Sequence, residues 1–120
     1  MIQRTEIIED IIYDIDHYAG KAADYAVYPD AGTGSKQELA YLTLGLCGES
    51  GEVAEKIKKF IRDGKFDANE VEKELGDVFW YLTQLCLAIG KHPSNVLTRN
   101  VAKLESRRLR NQIQGEGDNR

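Results

Sequence analysis

Four acidic side chains form two pairs with the same spacing, Glu49 with Glu52 and Glu74 with Asp77. Residues three apart lie on one side of a helix, so each pair would present two carboxylates together. Carboxylate oxygens without histidine or cysteine partners favour Mg²⁺ or Mn²⁺ over zinc or copper. The spacing therefore predicts a site for a hard divalent cation, provided that two helices bring the pairs together.

Four helices are predicted to position these pairs. The only prolines are Pro29 and Pro93, and the stretches around them have helical rather than alternating periodicity. N-cap candidates are Ser35 or Thr33 for the second helix and Asp67 for the third. The expected helices span about residues 5–25, 35–62, 67–89 and 93–112. We therefore predict an all-α, four-helix-bundle-like single domain over residues 1–113 and a polar tail over residues 114–120.

Each of the first three helices has an apolar stripe. The first stripe contains Ile8, Ile11, Ile12, Ile15 and Tyr18; the second Leu39, Leu42, Leu46, Val53, Ile57 and Phe60; the third Val71, Leu75, Val78, Leu82, Leu85 and Ile89. In the third helix, residues 78–82 are apolar all round, which predicts burial on every side. We expect Phe79 or Trp80 to contact another subunit, which predicts a homo-oligomer.

The short turn at residues 63–66 makes the second and third helices antiparallel neighbours. Glu52 lies ten residues before Arg62, and Asp77 lies ten residues after Asp67. Both acids are therefore ~15 Å from the turn and face each other. The count predicts that Glu49 and Glu74 lie within about one turn of them, so that all four carboxylates converge.

The predicted position of the acids makes an unpaired charge costly. Glu49 falls at the edge of the second stripe, where a hydrophobic residue is expected, and the second pair lies on the shoulder of the third stripe. A single Glu with such spacing more often belongs to a solvated face. For the set, however, Lys56 is the only lysine on the side of Glu49 and Glu52, and an unpaired, partly buried charge costs several kcal/mol. A bound cation is the better interpretation.

A di-iron helical bundle is the nearest competing metal site. Such bundles supply a Glu-x-x-His pair from two helices. Here the fourth position is Asp77, and His17 and His92 lie elsewhere in the chain. Both histidines are interpreted as surface or loop residues.

Composition excludes several classes of function. The chain has 120 residues with 20 acidic and 16 basic side chains, a net charge of -4 and a pI near 5.2. This balance gives no overall attraction for nucleic acid or anionic membranes, and no apolar run approaches the ~18–20 residues of a membrane span. Cys47 and Cys86 have no CxxC spacing and are expected to be buried, reduced thiols. We expect a cytoplasmic protein.

At this point the acidic residues resemble a family. Segment 48–55 (GESGEVAE) and segment 74–77 (ELGD) are similar to the ExxE, spacer, ExxD signature of the all-α nucleoside triphosphate pyrophosphohydrolases, in particular the MazG-like group. The resemblance covers about residues 36–107 and departs from relatives with a doubled Glu, because Gly48 precedes Glu49. It implies Mg²⁺-dependent hydrolysis of an NTP or dNTP to the monophosphate and pyrophosphate. It also implies that Glu49, Glu52, Glu74 and Asp77 are metal ligands.

The resemblance suggests further site residues. The fourth helix of family members often has Asn, Lys and Arg for phosphate contacts; Asn100, Lys103 and Arg107 match and share one side of that helix. Lys56 is a further phosphate candidate beside the acids. Glu49 or Glu52 is expected to orient or deprotonate the attacking water.

The nucleobase and the partner are less constrained. A base pocket is expected beside the loop at residues 28–35, where Tyr28, Lys36 and Tyr41 could stack on or hydrogen-bond a base, although core tyrosines fit the pattern equally. The resemblance implies a homodimer or homotetramer.

Three functions remain open. The first is the pyrophosphohydrolase described above. The second is a related-fold enzyme with a narrow substrate, such as dUTP, dCTP or phosphoribosyl-ATP. The third is a non-catalytic, metal-binding helical interaction module.

Overall fold

The computed structural model describes residues 11–120, which form helices and loops with no strand. The helices are α1 (Ile15–Ala23), α2 (Lys36–Asp63), α3 (Ala68–Ala88) and α4 (Pro93–Leu109). This confirms the predicted all-α class and the number of helices in the described part. None of these helices is long and apolar enough to cross a membrane.

Local sequence signals produce the α2–α3 hairpin. The Ser35 hydroxyl caps α2 by accepting a hydrogen bond from the Glu38 backbone N–H at 3.2 Å. The Asp67 carboxylate caps α3 and accepts from two backbone N–H groups at 3.0 and 3.3 Å. Between them Gly64 has φ 73°, a left-handed conformation that favours glycine, and its N–H bonds to the Phe60 carbonyl at 2.7 Å. The chain thereby reverses, and α2 and α3 form the most extensive helix pair.

The expected first helix is wrong at its start. Helix α1 begins at Ile15, because the Asp14 carboxylate caps it by accepting a hydrogen bond from the His17 backbone N–H at 2.7 Å. Ile11 and Ile12 therefore precede the helix and are 74% and 46% exposed. The expected start near residue 5, and the stripe residue Ile8, lie outside the described residues.

The core is small and lies on α3, which packs against α1 and against α2. Its buried apolar members among the described residues are Ala19, Ala22, Leu42 and Cys86. Two side chains of α3 donate to backbone carbonyls at α1: Trp80 Nε1 to Ala22 at 3.1 Å and Gln84 Nε2 to Ala19 at 3.2 Å. Small residues on α1 thus let the large side chains of α3 approach its backbone.

Only half of the predicted stripe of α3 is covered: Val71, Val78 and Leu85 are half-buried. Leu75, Leu82 and Ile89 remain 44%, 40% and 55% exposed. The reason is that α3 turns Trp80 and polar groups toward α1 and closes their hydrogen bonds there, so the aliphatic residues lie on another side. Of the two residues expected to contact another subunit, Trp80 packs within the chain, whereas Phe79 is 50% exposed.

The two cysteines differ. Cys86 is buried, and burial raises the pKa of its thiol. Cys47 is exposed. The expectation of two buried thiols is therefore wrong for Cys47, because it lies on a side of α2 that the described chain does not cover.

Helix α4 ends earlier than predicted. It stops at Leu109 rather than near Gln112, because Asn111 takes a left-handed conformation with φ 57°. The Gln112 N–H then bonds back to the Arg107 carbonyl at 2.6 Å, closing the end of the helix. The remaining residues turn back toward α4.

Candidate metal centre

Helices α2 and α3 bring three of the predicted acids together. Glu49, Glu74 and Asp77 each offer one carboxylate oxygen, and these oxygens all lie within 4.8 Å of one another. Two oxygen ligands of one octahedral Mg²⁺ lie about 3–4 Å apart, because each metal–oxygen bond is about 2.1 Å long. Side-chain rotation alone can close that difference. Hard oxygen donors at this separation fit Mg²⁺ or Mn²⁺.

A close approach of the two helices lies one turn from these acids. Gly45 precedes Glu49 by one turn of α2, and Tyr81 follows Asp77 by one turn of α3. The Tyr81 ring occupies the space beside Gly45, so α2 can pass near α3 at this level only without a side chain there. Sequence reasoning missed Gly45. The available signal was a glycine inside a long helix: glycine costs about 1 kcal/mol relative to alanine there, so its presence indicates a close packing contact.

The neighbouring acids raise the proton affinity of Glu49. The pKa of Glu49 is raised, first by burial and then by the negative charges of Asp77, Glu74 and Glu52. Among residues 11–120, no lysine or arginine forms an ion pair with Glu49, Glu74 or Asp77. The excess negative charge is the electrostatic condition under which a divalent cation binds.

Glu52 lies outside the three-acid group. Glu52 is exposed, as Asp77 is, whereas Glu49 and Glu74 are half-buried. Counting from the turn fixes height along the helix axis but not rotation about it, and Glu52 is turned by about 60° from Glu49, to the exposed side of α2. The expectations that all four carboxylates converge, and that both pairs are partly buried, are thus each met only in part.

Lys56 pairs across the two helices rather than with the acids. Its Nζ lies 3.8 Å from a carboxylate oxygen of Glu70, one turn before Glu74 on α3. Lys56 is therefore near the site but does not neutralise it. Its predicted phosphate contact stays a prediction.

The predicted phosphate residues of α4 fall into two environments. Asn100 and Lys103 line a groove of about 460 Å³ that also contains Lys91, Asn95, Val96 and Arg99. Arg107 is 5% exposed and is covered by the end of the chain, where its Nη2 donates to the backbone oxygen of Asp118 at 2.7 Å. The structure thus brings two of the three residues to one open groove and keeps the third beneath the tail.

The tyrosines proposed for a base pocket stack on each other. The rings of Tyr28 and Tyr41 are 4.7 Å apart with an interplanar angle of 13°, and Tyr41 lies 6.4 Å from Tyr81. These rings form a line from the 28–35 loop to the acids. Lys36 is exposed at the start of α2. A cavity of about 460 Å³ beside Tyr28 is lined by the loop and by residues of α3, including Gln84.

Glu38 holds the 28–35 loop and was not predicted. Its carboxylate is 2% exposed and accepts from the Tyr28 hydroxyl at 2.7 Å and from the backbone N–H groups of Gly32 and Gly34 at 2.5 and 2.8 Å. Burial alone would raise the pKa of Glu38, but these hydrogen bonds hold it below its ordinary value. The sequence signal was the Ser-x-x-Glu capping pattern from Ser35 to Glu38.

Comparisons with known proteins agree with the acidic signature. Residues 37–110 match the family model described as the MazG nucleotide pyrophosphohydrolase domain. The chain is also 45% identical over 112 residues to the "Gene 37 protein" of Mycobacterium phage L5, covering 88% of this chain and 98% of that protein. No solved structure matches the chain. The segment matched by the family model contains α4 and the four acids of the sequence pattern, Glu49, Glu52, Glu74 and Asp77.

Proposed function

Because the chain belongs to the MazG nucleotide pyrophosphohydrolase family, we propose that it hydrolyses nucleoside or deoxynucleoside triphosphates between the α and β phosphates. The products are the monophosphate and pyrophosphate. The observation that carries this proposal is the group formed by Glu49, Glu74 and Asp77, whose carboxylate oxygens lie within 4.8 Å of one another without an ion-pair partner in the described chain. A triphosphate repels such a group unless a cation joins them.

The cation is proposed to be Mg²⁺, with Mn²⁺ as a substitute, held by Glu49, Glu74 and Asp77. When bound, it would draw negative charge from the phosphate oxygens and make attack by water easier at neutral pH. Glu52 is exposed beside these residues and can approach the ion from the solvent side. All four acids of the sequence pattern therefore remain in the proposed site, in two roles.

We assign proton transfer to Glu52 rather than Glu49. Glu49 belongs to the close group, so one of its carboxylate oxygens would hold the cation. Glu52 lies on the solvent side, where an attacking water arrives. Its carboxylate can accept the proton that the water loses as it attacks the α-phosphorus.

The remaining predicted residues take binding roles in this proposal. Lys56, Asn100 and Lys103 contact phosphate oxygens, and Arg107 joins them once the tail has moved. For the base we propose stacking on the exposed side of Tyr41, which is 42% exposed, because Tyr28 covers its other side. Lys36 is exposed near this surface at the start of α2.

A homodimer or homotetramer is proposed on the basis of the exposed apolar residues. On α3, Leu75, Phe79 and Leu82 are 40–50% exposed and follow the four- and three-residue steps of a helix-packing seam, and Ile89, 55% exposed, lies seven residues further on. On α4, Leu97, Val101 and Leu104 are 41–64% exposed with the same steps. Such faces rarely stay uncovered in a folded protein, and a second copy supplies matching faces.

The test is a panel of ribo- and deoxyribonucleoside triphosphates with Mg²⁺ or Mn²⁺, with monophosphate and pyrophosphate measured separately. Equal amounts of both products from at least one nucleotide are expected. Release of inorganic phosphate with diphosphate would place cleavage at the wrong bond. No product from any nucleotide, with metal still bound, would favour the non-catalytic interaction module.

A further inference from the structure

The last ten residues form a closed structure against α4, which we call the terminal loop (residues 111–120). The Arg120 guanidinium donates to the carbonyls of Gln112 at 3.2 Å and Ile113 at 3.1 Å, and also to Gly117. Arg110, the C-cap residue of α4, donates through its guanidinium to the backbone oxygen of Arg120 at 2.7 Å. These bonds give the terminal loop a defined conformation.

One carboxylate of the terminal loop binds two cations of α4. An oxygen of Asp118 lies 3.2 Å from Lys103 Nζ and 3.3 Å from Arg107 Nη2, and the Asp118 backbone oxygen also accepts from Arg107. Hydrogen bonds from Lys103 and then Arg107 hold the pKa of Asp118 below its ordinary value. Asp118 is thus ionised at neutral pH and occupies both donors.

The contact leaves Arg107 incompletely satisfied. Arg107 is 5% exposed, and its Nε is buried without a hydrogen-bond partner. A guanidinium binds oxyanions best through two parallel N–H groups, such as Nε with Nη2. Asp118 uses Nη2 alone. A phosphate in its place could accept from both nitrogens, and a buried unpaired N–H is costly.

Lys103 connects the terminal loop to the open groove of α4. Its side chain is 40% exposed and lines that groove with Lys91, Arg99 and Asn100. An anion in the groove and the carboxylate of Asp118 therefore attract the same ammonium group. Arg107 becomes accessible to that anion only when the terminal loop leaves it.

We propose that the terminal loop is an internal competitor for phosphate, in which Asp118 holds Lys103 and Arg107 until a phosphate-bearing ligand displaces it. This rests on the proposed function for the identity of the ligand, a polyphosphate of the kind that the reaction binds or releases. Carboxylate and phosphate are both oxyanions and compete for the same donors. The contact with Lys103 costs little to break, since both of its side chains are at least 40% exposed and exposed ion pairs are weak.

The test measures binding of inorganic pyrophosphate to the full chain by calorimetry. EDTA is present to remove divalent metal ions, so that no pyrophosphate is hydrolysed during the measurement. Asp118→Asn removes the competing charge and is expected to tighten pyrophosphate binding by about threefold to tenfold. The matched control is Glu116→Gln, which removes one negative charge from the same loop. Glu116 takes part in no hydrogen bond or ion pair of the described residues. The pyrophosphate affinity of Glu116→Gln should therefore stay within about twofold of the parent.

A second measurement follows the loop itself. Gly115 and Gly117 have φ 152° and 81°, and their amide resonances report the closed conformation. Pyrophosphate added to the parent protein should shift these resonances toward their positions in Asp118→Asn without ligand. Such a shift is not expected from an anion that binds elsewhere.

Each other outcome rejects the proposal. Equal affinity in all three proteins means that Asp118 does not compete. Equal tightening in both variants means that net charge is responsible. Weaker binding in Asp118→Asn means that the loop holds the anion rather than excluding it. Because no turnover is measured, a chain that fails to hydrolyse nucleotides can still pass this test, so the two proposals fail separately.

Discussion

The ring of Tyr81 fills the space where a side chain on Gly45 would lie. A Cβ atom placed on Gly45 would be 2.1 Å from Cε1 of Tyr81, far inside van der Waals contact. Because Glu49 and Asp77 are each one turn away from this contact, it sets the separation of the two helices at the acids. Packing at Gly45 and cation binding at Glu49 are therefore coupled.

Gly45→Ala should destabilise the protein and weaken cation binding. Overpacking costs about 1–3 kcal/mol, and alanine returns up to about 1 kcal/mol of helix propensity, so a net loss of up to about 2 kcal/mol is expected by urea unfolding. The control is Gly48→Ala in the same helix, where an added Cβ meets nothing within 4 Å. That variant should be at least as stable as the parent. Equal stability of the two variants would show that Tyr81 moves aside freely.

Glu49→Gln should have opposite effects with and without Mg²⁺. Without metal, removing a charge that burial and three acids disfavour should stabilise the fold. With Mg²⁺, the parent gains stability by binding the ion and the variant does not. Thermal unfolding at several Mg²⁺ concentrations measures both. The control Glu55→Gln removes a carboxylate paired with Lys58 at 2.9 Å and should keep the Mg²⁺ effect.

Glu52→Gln should lose turnover while keeping the cation. A group that accepts a proton in the transition state contributes about 10²–10⁴-fold to the rate, so kcat should fall by that range. The stabilisation by Mg²⁺ should remain, because Glu52 lies outside the close group. Normal kcat in this variant would assign proton transfer elsewhere. Lost Mg²⁺ stabilisation would instead make Glu52 an essential ligand.

Glu38→Gln should flatten the acid dependence of stability. The folded state holds the pKa of Glu38 below its ordinary value, so the stability that Glu38 contributes is present above that ordinary value and is lost as pH falls through the lower, folded pKa. The parent should therefore lose more free energy of unfolding between pH 7 and pH 3 than the variant. At pH 7 the free energy of unfolding of the variant should be lower than that of the parent by about 1–3 kcal/mol.

The matched control for Glu38 is Glu72→Gln, an exposed position on α3. Its unfolding curve should follow the parent at every pH. If the Glu38 and Glu72 variants show the same slope with pH, the loop hydrogen bonds of Glu38 do not contribute to acid sensitivity.

Leu82→Glu should dissociate the proposed oligomer without unfolding the chain. Leu82 is 40% exposed in the single chain, so a charge there is tolerated by a monomer but not at a covered seam. Light scattering after size-exclusion chromatography should show a smaller species for Leu82→Glu and the parent mass for Val27→Glu, a substitution at a residue that is 90% exposed. An unchanged mass for both would remove α3 from the interface.

The features that follow from short-range rules were predictable from the sequence. The caps at Ser35 and Asp67 and the left-handed Gly64 each depend on a few adjacent residues, and the structure has all of them. The two acid-bearing helices and their reversal follow from these. The start of α1 was mispredicted because one cap, Asp14, outweighs an apolar pattern that continues before it.

Long-range features were not predictable in the same way. The position of Glu52 outside the group of the other three acids depends on how α2 is rotated as it packs against α3, and spacing along the sequence does not give that rotation. The burial of Glu38 depends on two backbone N–H groups of a loop, which periodicity does not describe. The exposed side of α3 was misassigned because Trp80 and Gln84 bond to α1 through polar atoms.

The uninterrupted course of α2 has a geometric consequence. Tyr41 and Glu49 belong to the same helix, so they are separated by ~12 Å of rigid backbone. A ligand that touches both must match a fixed length. One residue inserted between them would lengthen that span by ~1.5 Å and turn Glu49 by ~100° relative to Tyr41. Homologous proteins with the same site should therefore tolerate insertions in the 28–35 loop but not in this stretch of helix.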